Sequence, residues 1–252
     1  MNLKFEQTGS RAIVYDADCM PQPGRELFDA EYWRRTGAIS ATAPGRGNAL
    51  MLETPFGSAV MRACLRGGWA ARLSHDRYLF TGFDRCRPLA EARMLAELTR
   101  MGLPVPQPLA AQCRRHGLAY TGVLLTRRIM PAVPLADLLA DGAHLMPDWF
   151  LIGRCIRRFH DAGVVHPDLN ARNILLGENG GGQDDIYLID FDRAFFCHGS
   201  RRWFRANLGR LRRSLLKSWP AGRAGELQAC WEQLINGYNS AAGRSPPLHW
   251  RK

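Results

Sequence analysis

The sequence predicts an α+β chain in two lobes, the first built on a small antiparallel sheet and the second mainly helical. Three observations carry this expectation. Short apolar runs punctuated by glycine fill residues 38–73; helical apolar spacing takes over at 88–101 and again from 147 onward; and a proline-stiffened stretch lies between these regions. The resulting boundaries are an N-terminal extension with a short helix over 1–37, a first lobe over 38–130 and a second lobe over 131–252.

Taken in order, RELFDAEYWRRT (25–36) reads as a short amphipathic helix with Phe28, Tyr32 and Trp33 inward, stopped by Gly37. Glycines at 45, 47, 57, 67 and 68 divide residues 38–73 into an antiparallel meander with one glycine turn between its first two strands. Residues 88–101 form a helix opened by Pro88 and closed by Gly102, with Met94, Leu95, Leu98 and Met101 on one face. LPVPQPLAA should run extended, because a residue before proline is kept out of the helical region. Then come a strand in 117–129, a short helix in VPLADLLAD and a longer helix through 147–163 burying Ile152, Cys155, Ile156 and Phe159. Short strands around NILLG and IYLIDF flank the turn GENGGGQDD, and the chain from 200 onward is helical and basic.

Composition narrows the function classes. An apolar share of 46% with 23% charged residues suits a globular chain rather than a disordered one. The 34 Lys and Arg against 23 Asp and Glu give +11, which calls for an anionic partner. Nearly all of that charge is arginine; the only lysines are Lys4, Lys217 and Lys252, so no lysine falls in a plausible active-site segment. No run approaches the ~18–20 apolar residues of a membrane span, and MNLKFEQTGS has no signal-peptide pattern. Seven scattered cysteines without a CxxC read as reduced thiols of a cytosolic protein rather than a disulfide framework or zinc site.

The chemistry concentrates in VVHPDLNARNILL and IYLIDFD. Asp168 stands two residues after His166 and five before Asn173, and Asp190 ends an apolar strand farther on. Phosphoryl transfer needs a carboxylate to accept the hydroxyl proton and oxygen ligands for Mg²⁺. Asp168 suits the first role, and Asn173 with Asp190 suits the second, at the spacing of a protein-kinase-like catalytic loop and metal-binding aspartate. Upstream, Gly45, Arg46 and Gly47 lie in GRGNA between two strands and can offer backbone N–H groups to phosphates, although a plain hairpin turn also fits them. Arg62 occupies the strand position of the usual kinase lysine, and Glu91, in the first turn of the next helix, is its candidate partner or otherwise a surface charge. Asn170 stands where many protein kinases carry a loop lysine, and Asp192 replaces the glycine of D-F-G. No A-P-E segment follows, which argues against a phosphorylation-regulated protein kinase.

The residues APGRGNA, MRACLRGGWAARLSHDRYLFTGFDRCRPLAEARML, GLPVPQPLAA, HPDLNARNILL and LIDFDRAFF together resemble the lipopolysaccharide-core kinase family over about residues 25–220. The resemblance implies a two-lobed protein-kinase-like fold and ATP-dependent, Mg²⁺-assisted phosphorylation of the 4-hydroxyl of 3-deoxy-D-manno-octulosonic acid (Kdo) on a lipid A precursor. It also implies a peripheral protein at the cytoplasmic face of the bacterial inner membrane. A sugar acid calls for arginines in the acceptor site, for which Arg66, Arg77, Arg85 and Arg87 are candidates.

Between Arg193 and Gly225 there is no acidic residue. Phe204, Leu208, Leu211, Leu215 and Trp219 make an apolar stripe on the helix there, and Arg202, Arg205, Arg210, Arg213 and Lys217 take the other side. We expect the stripe to dock on its own lobe and the basic face to meet an anionic membrane surface. No nucleic-acid partner is expected, since the basic residues lack an aromatic stacking platform or a recognition-helix motif. The alternative reading is a kinase of another sugar, small molecule or protein, which would keep the same loop.

Overall fold

The computed structural model describes residues 1–43, 49–64, 78–141, 147–177, 185–223 and 225–240. It divides into two compact units, Met1–Thr99 with Pro106–Arg128, and Arg100–Val105 with Ile129–Lys252.

The first unit holds β1 (Leu3–Thr8), β2 (Arg11–Asp16), α1 (Ala30–Arg35), β3 (Ile39–Ala43), β4 (Ala49–Thr54), β5 (Gly57–Ala63), β6 (Tyr78–Leu79), α2 (Arg87–Arg100), β7 (Pro108–His116) and β8 (Ala119–Arg127). Its sheet runs β1-β2-β7-β8-β5-β4-β3 with β6 on β8, antiparallel throughout. The first sixteen residues are therefore not an appendage. They form a hairpin that turns at Gly9 (φ +56°) and extends the sheet through β2 on β7. Asp16, fully buried, closes the hairpin by accepting the Asn2 N–H at 2.8 Å. The helix expected at 25–36 is a 3₁₀ turn at Glu26–Phe28 followed by α1, whose first turn is capped by the Asp29 carboxylate on the Glu31 N–H. Phe28 and Trp33 join Tyr15, Leu52, Leu109 and Leu125 in the core, and Tyr32 packs at its margin.

The α2 stripe is narrower than its periodicity suggests. Leu95 and Leu98 are buried and Met94 is half-buried, whereas Met101 is 45% exposed. The helix ends at Arg100 and Gly102 turns the chain with φ +69°, so Met101 lies beyond the last turn. The proline-rich stretch is also shared. Pro104 accepts the Leu188 N–H at 3.0 Å in the second unit, and Pro108 begins β7 in the first, a strand position where a missing N–H costs least.

The second unit holds β9 (Ala132–Pro134), α3 (Leu135–Ala140), α4 (Trp149–Asp161), β10 (Val164–Val165), β11 (Ile174–Gly177), β12 (Ile186–Leu188), β13 (Phe195–Phe196), α5 (Arg201–Ser218) and α6 (Glu226–Ser240). Two small sheets, β12-β11-β9 and β10-β13, accompany the helices. The expected inward residues of α4, Ile152, Cys155, Ile156 and Phe159, are all buried, and Asp148 caps the helix by accepting the Leu151 N–H at 3.0 Å. Helices α4 and α6 cross at two glycines: a Cβ on Gly153 would strike the Leu234 carbonyl oxygen, and one on Gly237 would strike that of Phe150. Since the obstacles are backbone atoms, Gly153→Ala must push the helices apart. We expect a loss of about 1–3 kcal/mol in denaturant unfolding, against no change for Gly222→Ala, where nothing lies within 4 Å.

Candidate active site

The site is built around the chain that leaves α4. Gly163 turns it with φ +76°, and the buried pair Val164–Val165 anchors β10 against β13. The loop His166–Asn173 follows, closing with a 3₁₀ turn at Ala171–Asn173 that leads into β11. Its backbone is held by side chains at each step. Asn170 and Asn173 both donate from Nδ2 to the Asp168 carbonyl oxygen, at 2.8 and 2.9 Å, and Asn170 Oδ1 accepts the Arg172 N–H at 2.9 Å. Two asparagines thus pin the main chain of Asp168, and its half-exposed carboxylate is bonded by the Arg210 guanidinium.

The second carboxylate is tied to the same loop. The Asn173 carbonyl accepts the Ile189 N–H at 3.0 Å, and His166 Nε2–H donates to the Ile189 carbonyl at 2.9 Å. Asp190 follows directly with φ +67°, the only described non-glycine residue in the left-handed region, a conformation that costs energy and recurs at functional turns. Phe191 is buried beneath the turn, stacked on Phe159 at 5.8 Å and beside the His166 ring at 4.8 Å. Burial pushes the His166 pKa down, and the fields of Asp190 and Asp168 partly oppose that shift. One buried imidazole therefore feels both carboxylates.

Helix α5 supports the loop from outside. Asn207 Oδ1 accepts the His166 N–H at 3.0 Å, and Ser214 Oγ accepts the Ala171 N–H at 3.1 Å. Asn207 Oδ1 also accepts from His160 Nε2–H at 3.3 Å, while His160 Nδ1 accepts the Tyr238 hydroxyl proton at 2.8 Å. Complete burial drives the His160 pKa from 6.5 down to about 3, so this imidazole is neutral in the folded chain. The unfolded chain binds the extra proton between about pH 3 and 6.5, so stability falls as pH drops through that window, by up to ~1.4 kcal/mol per pH unit from His160. Denaturant midpoints measured from pH 7 to 5 should fall, and His160→Gln should flatten the slope; an unchanged slope in that variant would contradict the assignment.

In the first unit, Arg62 on β5 lies opposite Leu124 of β8 in register. Its Nη2 donates to both carboxylate oxygens of Glu91 on α2, at 2.5 and 2.6 Å, with the Glu91 side chain 2% exposed and that of Arg62 29% exposed. Glu91 is a buried partner, not a surface charge. Gly45, Arg46 and Gly47 lie outside the described residues, as do Arg66 and Arg77. Arg87 sits over the Tyr78 ring at 4.8 Å and donates to its hydroxyl at 3.1 Å, and Arg85 is exposed.

The donor set suits a hard divalent cation. Among the described residues no three His, Cys, Asp or Glu side chains cluster to hold a metal alone. The oxygen donors Asn173 Oδ1 and Asp190 fit the way Mg²⁺ is held by one or two protein ligands with phosphate and water completing the shell. Asn173 already donates its Nδ2 to the Asp168 carbonyl, which leaves its Oδ1 for the acceptor role.

Arg210 is exposed, as expected, together with Arg202, Arg205, Arg213 and Lys217 on α5. What the periodicity does not show is that Arg210, unlike those four, also bonds the Asp168 carboxylate. The apolar side is as expected, with Phe204, Leu208, Leu211 and Leu215 buried and Trp219 half-buried. Asn207 and Ser214 escaped sequence reasoning altogether; their one available signal is the i, i+3, i+7 recurrence of polar residues at 207, 210 and 214 beside the apolar stripe.

A sheet unit with a strand–helix Arg–Glu pair, and a helical unit with an H-x-D-x-x-x-x-N loop before a D-F-x turn, define a kinase-like phosphotransferase. The family model described as "Lipopolysaccharide kinase (Kdo/WaaP) family" matches residues 30–238, and the chain belongs to that family. It is 43% identical over 240 residues to a 3-deoxy-D-manno-octulosonic acid kinase of Xanthomonas oryzae pv. oryzae (strain PXO99A), covering 95% of this chain and 94% of that protein. A protein of the same name from Stenotrophomonas maltophilia (strain R551-3) is 41% identical over 239 residues, with the same coverage. Among solved structures, "WaaP in complex with acyl carrier protein" superposes with a TM-score of 0.52 at 18% identity, covering 87% of both chains, and supports the kinase-like fold.

Proposed function

We propose that this protein transfers the γ-phosphoryl group of ATP to the 4-hydroxyl of Kdo on a lipid A precursor, a step of lipopolysaccharide inner-core assembly. The observation that carries the reading is the loop in which Asn170 and Asn173 fix the main chain of Asp168 while its carboxylate stays half exposed. Asp168 orients the acceptor hydroxyl and takes its proton as the new O–P bond forms and the bond from the γ-phosphorus to ADP breaks. Asn173 and Asp190 hold Mg²⁺, which when bound neutralises charge on the nucleotide phosphates. Arg62, steadied by Glu91, pairs with nucleotide phosphates as a planar fork in place of the usual lysine. His166 is structural: buried, neutral and bonded to the Ile189 carbonyl.

The exposed Arg202, Arg205, Arg213 and Lys217 of α5 support a peripheral site on the anionic cytoplasmic face of the inner membrane. Trp203, 44% exposed, and the neighbouring Phe195 at 5.5 Å add aromatic surface of the kind that settles at a membrane interface. Among the described residues no helix is long and apolar enough to cross a membrane. The regiochemistry is tested by a phosphorus–proton correlation spectrum of the product: coupling to the proton on carbon 4 of Kdo supports the reading, and coupling to any other carbon refutes it.

A further inference from the structure

Asn207, Arg210 and Ser214 share one face of α5, and all three engage the catalytic loop: Asn207 the His166 N–H, Ser214 the Ala171 N–H, and Arg210 the Asp168 carboxylate. The outer two bonds fix the helical turn from which Arg210 reaches. Its side chain and that of Asp168 are each 49% exposed, so both remain open to a ligand while holding one another. Asn170, at the position of the common loop lysine, spends its side chain on the Asp168 carbonyl and the Arg172 N–H and brings no charge.

An acceptor that is a sugar acid carries a carboxylate ionised at neutral pH. To place its hydroxyl on Asp168 it must bring that negative charge beside another one, and a cation in contact with Asp168 removes the conflict. A guanidinium has five N–H donors in a planar fork, and the Asp168 pair leaves the others for a second carboxylate. In Kdo only carbons 2 and 3 separate the carboxyl carbon from the carbon bearing the 4-hydroxyl, so both groups can reach an acid and a cation that touch. We propose that Arg210 receives the carboxylate of the acceptor and so selects sugar acids over neutral sugars. This inference rests on the reading of the protein as a Kdo kinase.

The test compares a Kdo-bearing acceptor with its carboxyl methyl ester, using the full chain and its Arg210→Gln and Arg210→Lys variants. The unaltered protein should favour the free acid in kcat/KM by about 10- to 100-fold, the range of one hydrogen bond to a charged group. Arg210→Gln should lose that discrimination through a raised KM for the free acid with the KM for ATP unchanged, and Arg210→Lys should recover part of it. Full discrimination in Arg210→Gln, or a loss that falls on the KM for ATP, would overturn the assignment of Arg210 alone. No transfer to the free acid by the unaltered protein would instead overturn the reading beneath it.

Discussion

Asp168→Asn is expected to reduce phosphoryl transfer by about 10²–10⁴-fold, the contribution of one positioned proton acceptor, while nucleotide binding is retained. The geometry separates these effects. The loop is held through the Asp168 carbonyl, by Asn170 and Asn173 at 2.8 and 2.9 Å, and through the His166 and Ala171 N–H groups. None of these bonds uses the Asp168 carboxylate, so the amide variant keeps its fold and its candidate metal ligands. Single-turnover transfer and nucleotide titration on one preparation check both halves; an unimpaired rate would remove Asp168 from the chemistry.

The second large effect is expected at Arg62. In Arg62→Ala the Glu91 carboxylate, 2% exposed, loses a guanidinium that bonds both its oxygens. Breaking such a pair from one side removes the guanidinium from a buried carboxylate, at a cost of about 3 kcal/mol. Transfer should fall as well, through weaker nucleotide binding, because Arg62 is our assigned phosphate contact. Arg62→Lys separates the two roles: it keeps a cation against Glu91 but gives up the planar fork. It should hold most of the stability and show a raised KM for ATP. Equal loss in both variants, with no change in the KM for ATP, would make Arg62 purely structural.

How much of this was legible in the sequence depends on how local each feature is. The loop of Asp168 and Asn173, the strand before Asp190 and the inward face of α4 are written in short spacings, and the structure has each element where those spacings place it. The Arg62–Glu91 pair needed only a strand followed by a helix. The N-terminal hairpin was overlooked because β1 is exposed along nearly its whole length, and an edge strand without a buried face has a weak alternation signal. The bond from Arg210 to Asp168 is not legible for a different reason. Helical periodicity separates apolar from polar positions but cannot say which polar residue another loop will approach, and only the tertiary packing of α5 brings it to Asp168.

The most direct measurement is the transfer of labelled γ-phosphate from ATP with Mg²⁺ to a Kdo-bearing lipid A precursor, alongside a no-acceptor control and a generic protein substrate. Label in the Kdo sugar alone is the expected result. Label in the protein substrate, or nucleotide binding with no transfer to any acceptor, would contradict the proposed function while leaving the kinase-like fold in place.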